Sequence, residues 1–212
     1  MKEPIFLSYF LNSETPVYGG AVGAFEAEKT NQISKGDNSN NMHLSFPNHI
    51  GTHIDFPFHF SSNGKTCSDY PASFWVFKKV GFLECSIEAI ENESKGLPKD
   101  IDMLILKTGF GGRRVEREYW AEQPVIPSSL ASFLKNGFPS LRLFGFDLIS
   151  LTSKLNREEG KKAHLHFLID ENILILEDMN LASLNSIPSS VIVSPLQVDN
   201  SDGVPCNVIA LF

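Results

Sequence analysis

Residues 49–60 read HIGTHIDFPFHF and give the first indication of the fold. The spacing of four between His49 and His53 would suit a helix, but the glycine, proline and aromatic residues of this stretch disfavour one. In an extended backbone, His53 and Asp55 point to the same side, because side chains two positions apart share a face of a strand. His49 is expected on that side as well if the backbone stays extended through Gly51.

Outside this stretch, several short apolar runs predict buried strands. They are Met103–Leu106, Leu141–Phe146, Ile173–Leu176, Val191–Val193 and Val204–Phe212. Helices are predicted over 127–137, which starts with Pro-Ser and ends in Gly, and over about 156–169, where acidic residues precede lysines. The polar segment 31–41 predicts a loop that leads into a strand. Strands interspersed with helices predict a single α/β domain over residues 1–212.

The composition is that of a packed globular protein, with 42% hydrophobic and 20% charged residues. A net charge of -7 without long Lys/Arg clusters argues against a nucleic-acid partner. No apolar stretch approaches the roughly 20 residues of a membrane helix, so no membrane partner is expected. The three cysteines lie far apart, which predicts free thiols in a reducing compartment, and no signal-peptide pattern is visible. A cytoplasmic location is therefore expected.

His49, His53 and Asp55 form a sound ligand set for Zn²⁺, Mn²⁺ or Fe²⁺, with a position left open for water. The alternative is that these histidines are structural, hydrogen-bonded in the core or exposed at the surface. Burial without partners would cost roughly 1–3 kcal/mol for each unsatisfied group, which favours the metal interpretation. His59 follows Pro57 and is predicted to carry protons, because imidazole titrates near neutral pH.

A second candidate segment lies downstream, where His164 and His166 fall on the second predicted helix. Glu177 ends a very apolar predicted strand, and a buried carboxylate there requires a metal or a cationic group as partner. The alternative is that Glu177 and Asp178 begin an exposed turn. The first cluster favours the metal interpretation.

The string His49-x-Gly51-Thr52-His53-x-Asp55-x-Pro57-x-His59-Phe60 resembles the signature of the cyclase family of metal-dependent hydrolases. That family includes kynurenine formamidases, isatin hydrolases and proteins named polyketide cyclases. The resemblance covers nearly the whole chain. Further similar segments are Thr15–Tyr18, Leu106–Gly109 with Lys107 in place of Arg, Tyr119-Trp120, Gly145–Ser150, Pro195-Leu196 and Asp202–Pro205.

The resemblance implies a site and a fold. It implies that the residues matching His49, His53 and Asp55 bind a metal and that the residue matching His59 is the catalytic acid/base. It also implies a second metal position, which a later His and Glu complete and which Asp55 shares with the first. Glu177 matches that Glu. For the later His, the resemblance favours His164, and His166 remains the alternative. Tyr18 is expected near the substrate. The implied fold is an α/β domain of the swivelling β/β/α type, with a mixed, barrel-like sheet and flanking helices.

The implied activity is hydrolysis of an amide, formamide or lactam C–N bond in a small aromatic or hydrophobic substrate. One or two divalent ions are expected, with Zn²⁺ preferred and Mn²⁺ the alternative. The resemblance also implies a homo-oligomer, either a dimer or a tetramer. Two other functions stay open, namely a metal-dependent cyclase or dehydratase and a non-catalytic metal or ligand binder on the same scaffold.

Overall fold

A mixed β-sheet organises the structure, a computed structural model that describes residues 2–212. The strands in that range are β1 (Ile5–Phe6), β2 (Glu26–Asn31), β3 (Asn41–Ser45), β4 (His53–Asp55), β5 (Val76–Phe77), β6 (Val80–Glu84), β7 (Met103–Lys107), β8 (Leu143–Phe146), β9 (Leu174–Glu177), β10 (Ser190–Pro195) and β11 (Gly203–Leu211). The α-helices are α1 (Ile90–Glu93), α2 (Glu118–Ala121), α3 (Ser129–Gly137) and α4 (Arg157–Leu165).

Among the described residues the main sheet has nine strands, in the order β5-β10-β11-β4-β9-β8-β7-β6, with β1 paired to β11. Neighbours from β6 to β9 run parallel, whereas β4, β5, β10 and β11 pair antiparallel. The sheet curls into a nearly closed barrel with few helices around it. The predicted α/β class with a mixed, barrel-like sheet is confirmed.

The predicted strands form, with small changes at their ends. The run expected from Leu141 becomes a strand only at Leu143, and the last strand extends from Gly203. In β7, Met103 and the three residues after it are all fully buried, as expected for a parallel strand covered on both faces.

Both predicted helices form as well. α3 buries Leu130, Ala131 and Leu134 on one face. α4 begins after Asn156, whose side chain accepts a hydrogen bond from the backbone N–H of Glu159. A π-helical turn over His166–Asp170 continues α4.

β2 and β3 form a separate two-stranded hairpin in which every strand residue is exposed. The loop predicted over 31–41 forms between these strands, although residues 31 and 41 themselves belong to β2 and β3, and it contains a short 3₁₀ turn at Ile33–Lys35. His43, to which the sequence assigns no role, lies on this hairpin, opposite Glu28.

Within residues 2–212, the helices are all too short or too polar to cross a lipid bilayer.

Candidate metal centre

β4 places His53 and Asp55 on one side of the sheet, with Ile54 between them turned into the apolar core. β9 runs antiparallel beside β4, and its last residue, Glu177, lies directly opposite His53. Directly opposed residues of paired strands carry their side chains on the same face. Strand alternation and register therefore bring two carboxylates and one imidazole together.

His49 reaches the same cluster by a different route from the one expected. The backbone is not extended through Gly51, which has φ +60° in the left-handed region, and β4 begins only at His53. A side chain at Gly51 would collide with Leu11, whose Cδ2 lies 2.5 Å from the position of a Cβ. The resulting turn still directs the His49 ring inward, with Nδ1 2.9 Å from Oδ1 of Asp55.

α4 supplies a third imidazole, His164, near its C-terminal end. His164 is buried, and its Nε2 lies 3.4 Å from Oδ2 of Asp55 and 3.6 Å from Oε1 of Glu177. The alternative, His166, lies outside the cluster, where its half-exposed ring faces Ser128 and Asp170. Glu177 does not begin an exposed turn, because it is 3% exposed and accepts a hydrogen bond from the backbone N–H of Leu151.

The outer nitrogens of the two most buried histidines are held by backbone carbonyls. Nδ1–H of His53 donates to the carbonyl oxygen of Gly51, and Nδ1–H of His164 donates to that of Gly160, both at 2.8 Å. Each ring therefore turns its Nε2 toward the carboxylates. Histidines that bind metals are typically oriented in this way, through a hydrogen bond from the second ring nitrogen.

The spacing of the inner atoms fits a shared cation. His53 Nε2 lies 3.5 Å from Asp55 Oδ1 and 3.3 Å from Glu177 Oε2, and the His164 distances are similar. These separations lie at the long end of the range for hydrogen bonds. Two ligands, each about 2.1 Å from one tetrahedrally coordinated cation, lie about 3.4 Å apart. The donor set and its spacing both fit a divalent metal.

Asp55 is the central carboxylate of the cluster. Oδ1 faces His49 and His53, whereas Oδ2 faces His164. The two oxygens of Asp55 therefore address different imidazoles.

The electrostatics of the cluster also favour a cation. Burial alone would lower the pKa of His53, but its hydrogen bond to Glu177 and the charge of Asp55 raise that pKa to about 9. Burial opposes protonation of His164 as well, yet hydrogen bonds to Asp55 and Glu177 raise its pKa to about 10. In turn, hydrogen bonds from His164 and His49 outweigh burial and hold the pKa of Asp55 well below its usual range. Positive charge is therefore strongly stabilised at this position.

His59 lies at the end of a 3₁₀ turn, Pro57–His59, at the mouth of the cluster. Possible ligand atoms of His49, Asp55 and His59 all lie within 4.8 Å of one another, so His59 is close to the cluster. Its Nδ1 donates to Oδ2 of Asp202 at 2.8 Å, and the same oxygen accepts from His49 Nε2 at 3.0 Å. Sequence reasoning did not single out Asp202 as a site residue, although the segment 202–205 belongs to the family resemblance.

A cavity of about 300 Å³ opens above the cluster. Tyr18, Phe60 and Ile149 are apolar residues that line it, together with His59 and the inner residues of the cluster. Tyr18 thus lines the cavity, and it is partly exposed. A cavity of this size and character suits a small substrate with an apolar ring.

Asp178, next to Glu177, has a different partner. The guanidinium of Arg114 binds both oxygens of its carboxylate, at 2.7–3.0 Å, and the hydroxyl of Tyr119 donates to Oδ1 at 2.5 Å. Asp178 is 1% exposed, so this pair is a buried ion pair beside the metal cluster.

Comparison with known proteins shows what this chain is similar to in sequence. The sequence profile of the family described as "Putative cyclase" matches residues 5–152. A kynurenine formamidase of Bacillus cereus (strain ATCC 14579) is 30% identical over 213 residues, which cover 98% of this chain and 97% of that protein.

Two solved structures share the fold. An isatin hydrolase bound to the product analogue thioisatinate superposes with a TM-score of 0.79 at 17% identity, over 99% of this chain and 92% of that one. A predicted metal-dependent hydrolase from Bacillus stearothermophilus superposes with a TM-score of 0.74 at 18% identity, over 98% of this chain and 97% of that one.

Proposed function

The chain belongs to the cyclase family, and from that premise we propose that it is a metal-dependent hydrolase. It cleaves a C–N bond of an amide, formamide or lactam in a small aromatic or hydrophobic substrate, as an arylformamidase does. One observation carries the proposal: the buried cluster of His53, Asp55, His164 and Glu177 has the spacing of ligands around a cation. The apolar cavity above it supports an aromatic substrate.

We propose His49, His53 and Asp55 as ligands of one ion and His164 and Glu177, together with Asp55, as ligands of a second position. Zn²⁺ is the proposed ion and Mn²⁺ the alternative, because imidazole with carboxylate suits both. We propose one or two ions, because the two oxygens of Asp55 face different imidazoles and can serve either one position or both.

When bound, the divalent cation polarises a carbonyl oxygen and makes water nucleophilic near neutral pH. His59 moves the proton. Its Nδ1–H is held by Asp202, so Nε2 carries the free lone pair and accepts a proton from the attacking water. The same Nε2 then returns the proton to the departing nitrogen. Tyr18 and Phe60 position the apolar part of the substrate and restrict water at the cavity wall.

The test uses purified protein that is stripped of metal with a chelator and reloaded with Zn²⁺ or Mn²⁺. N-formylkynurenine, isatin and simple aryl amides are offered as substrates. We expect the loaded protein to hydrolyse at least one of them, and His53→Ala to lose both metal content and turnover.

His166→Ala is the matched control, because it removes a surface imidazole from the segment that carries His164. It is expected to keep metal and turnover. A wild-type protein that binds its metal fully but hydrolyses none of these compounds would contradict the proposal.

We also propose that the 212 residues form one hydrolase domain and that this domain assembles into a homo-oligomer, a dimer or tetramer. The β2–β3 hairpin supports assembly, because Met42 and Leu44 are exposed on it and an isolated two-stranded hairpin is marginally stable in water. Light scattering on Met42→Glu/Leu44→Glu should show a smaller particle than wild type, with His43→Glu on the opposite face of the same hairpin as control. A monomeric wild-type protein would contradict this assembly. A cytoplasmic location is proposed because Cys67, Cys85 and Cys206 are free thiols.

A further inference from the structure

One carboxylate oxygen joins a proposed metal ligand to the proposed acid/base. Oδ2 of Asp202 accepts from His49 Nε2 at 3.0 Å and from His59 Nδ1 at 2.8 Å, and Oδ1 accepts from Asn48 at 2.6 Å. Building on the proposed function, we propose that Asp202 is a positioning residue that sets the ring orientation and tautomer of both His49 and His59.

Asp202 is fixed relative to the metal cluster by the sheet. Its carbonyl oxygen accepts from the backbone N–H of Phe56 at 2.9 Å, and the next residue, Gly203, pairs with Asp55 at the end of β4. The carboxylate is therefore carried by the same strand ladder as the central ligand. Although partial burial alone would raise its pKa, hydrogen bonds from His49 and His59 hold the pKa of Asp202 below its usual range.

The two hydrogen bonds determine which nitrogen of each ring keeps its lone pair. Because Nε2–H of His49 donates to Asp202, Nδ1 is the nitrogen that would be free to bind a cation in place of its hydrogen bond to Asp55. With Nδ1–H of His59 donated to Asp202, Nε2 is left to face the cavity. The neutral ring of each histidine has one donor and one acceptor, so a fixed acceptor selects a single tautomer.

The shared oxygen also fixes the distance between the two rings, whose centroids lie 4.2 Å apart. His59 sits on a short turn and is partly exposed, and among the described residues Asp202 is the one that hydrogen-bonds to its ring. Loss of Asp202 should thus affect both metal binding and proton transfer, whereas loss of either histidine alone removes only its own role.

The experiment compares Asp202→Asn with Asp199→Asn, which removes the same charge from the same loop. Asp199 is a matched control because, among the described side chains, those of Ser68 and Asn200 are the ones that hydrogen-bond to its carboxylate. Three quantities are measured at pH 8: Zn²⁺ affinity by chelator competition, kcat at saturating Zn²⁺, and the ¹⁵N shifts of the histidine rings in metal-free protein. His59→Gln assigns the His59 signals.

We expect Asp202→Asn to weaken Zn²⁺ binding about 10-fold, as for other outer partners of metal ligands. At saturating Zn²⁺ its kcat should fall about 100-fold, because the amide NH₂ can donate where the carboxylate only accepts. The His59 signals should show an Nδ1–H tautomer in wild type and a mixture or the other tautomer in the variant. Asp199→Asn should match wild type in all three measurements.

Asp202→Ala serves as a second variant, since it removes the acceptor without introducing a donor, and it should show the same losses. If both Asp202 variants match Asp199→Asn in affinity, kcat and ring shifts, the inference is overturned while the proposed function stands. If wild type itself neither binds metal nor hydrolyses a substrate, both are overturned, whatever the ring shifts show.

Discussion

Gly203, the first residue of β11, lies against the ring of His49 and has no side chain to collide with it. A Cβ at this position would lie 2.3 Å from Cε1 and 2.7 Å from Nε2 of His49. The backbone of Gly203 is not left-handed, so alanine fits the strand conformation and the clash with the ring is its main effect. Gly203→Ala therefore tests the placement of His49 with little change elsewhere.

The expected displacement can be estimated from these distances. Ordinary contact begins at 3.4 Å, so the ring must move by about 1 Å. Such a shift separates His49 from both Asp55 and Asp202, because each hydrogen bond is already near its normal length of 2.9–3.0 Å. A misplacement of 1 Å costs about 100-fold in rate, equivalent to about 2.7 kcal/mol of transition-state stabilisation. Zn²⁺ affinity should fall about 10-fold, as when a partner that orients a metal ligand is lost.

The assay measures kcat/KM and Zn²⁺ affinity for Gly203→Ala, with circular dichroism to verify folding. Gly96→Ala is the control, because a Cβ there meets no atom within 4 Å and its backbone is not left-handed. The control should match wild type. Wild-type affinity and turnover in folded Gly203→Ala would refute the placement of the His49 ring and its role as a ligand.

Three further predictions concern the neighbouring groups. His59→Ala should lower kcat by about 10²–10⁴-fold with unchanged metal content, because it removes the group that transfers the proton and no metal ligand. Kinetics and elemental analysis measure the two quantities. A variant that loses its metal would show that His59 is a ligand instead. Arg114→Met should lower the free energy of unfolding of the metal-free protein by about 3–5 kcal/mol, because it leaves the buried Asp178 carboxylate without its cationic partner. Urea unfolding measures this loss, and Arg114→Met/Asp178→Asn should recover part of it. Apparent metal affinity should rise with pH, by about 10-fold per unit for each imidazole that releases a proton, because the pKa values of His53 and His164 in the metal-free protein are raised to about 9 and about 10. Chelator competition at pH 6.5 and 8.5 measures the change, and a pH-independent affinity would contradict it.

The parts of the site that sequence could predict are those set by local backbone geometry. Alternation along one short strand was enough to place His53 and Asp55 on one side. The apolar run before Glu177 was enough to predict a strand that ends in a buried carboxylate. The same alternation rule did not describe His49, because the left-handed turn at Gly51 breaks the period of two.

The contacts that sequence could not predict are those between distant strands. Asp202 and His49 are 153 positions apart, and only the pairing of β11 with β4 brings them together. The residues alone could not decide between His164 and His166 either, because the choice depends on which side of the helical segment faces the sheet. Pattern reasoning locates elements, but the register between nonconsecutive strands follows from the whole core.

The register of β4 therefore controls both the fold and the chemistry. Its pairing with β9 sets His53 against Glu177, and its pairing with β11 sets Asp55 beside Gly203 and Asp202. A slip of one residue would turn Ile54 toward the polar cluster and bury Asp55 among apolar side chains. Because the apolar core penalises that slip, the hydrophobic contacts of Ile54 and its neighbours are also what keeps the ligands converged. Substitutions that loosen the core at β4 should consequently weaken metal binding before they unfold the sheet.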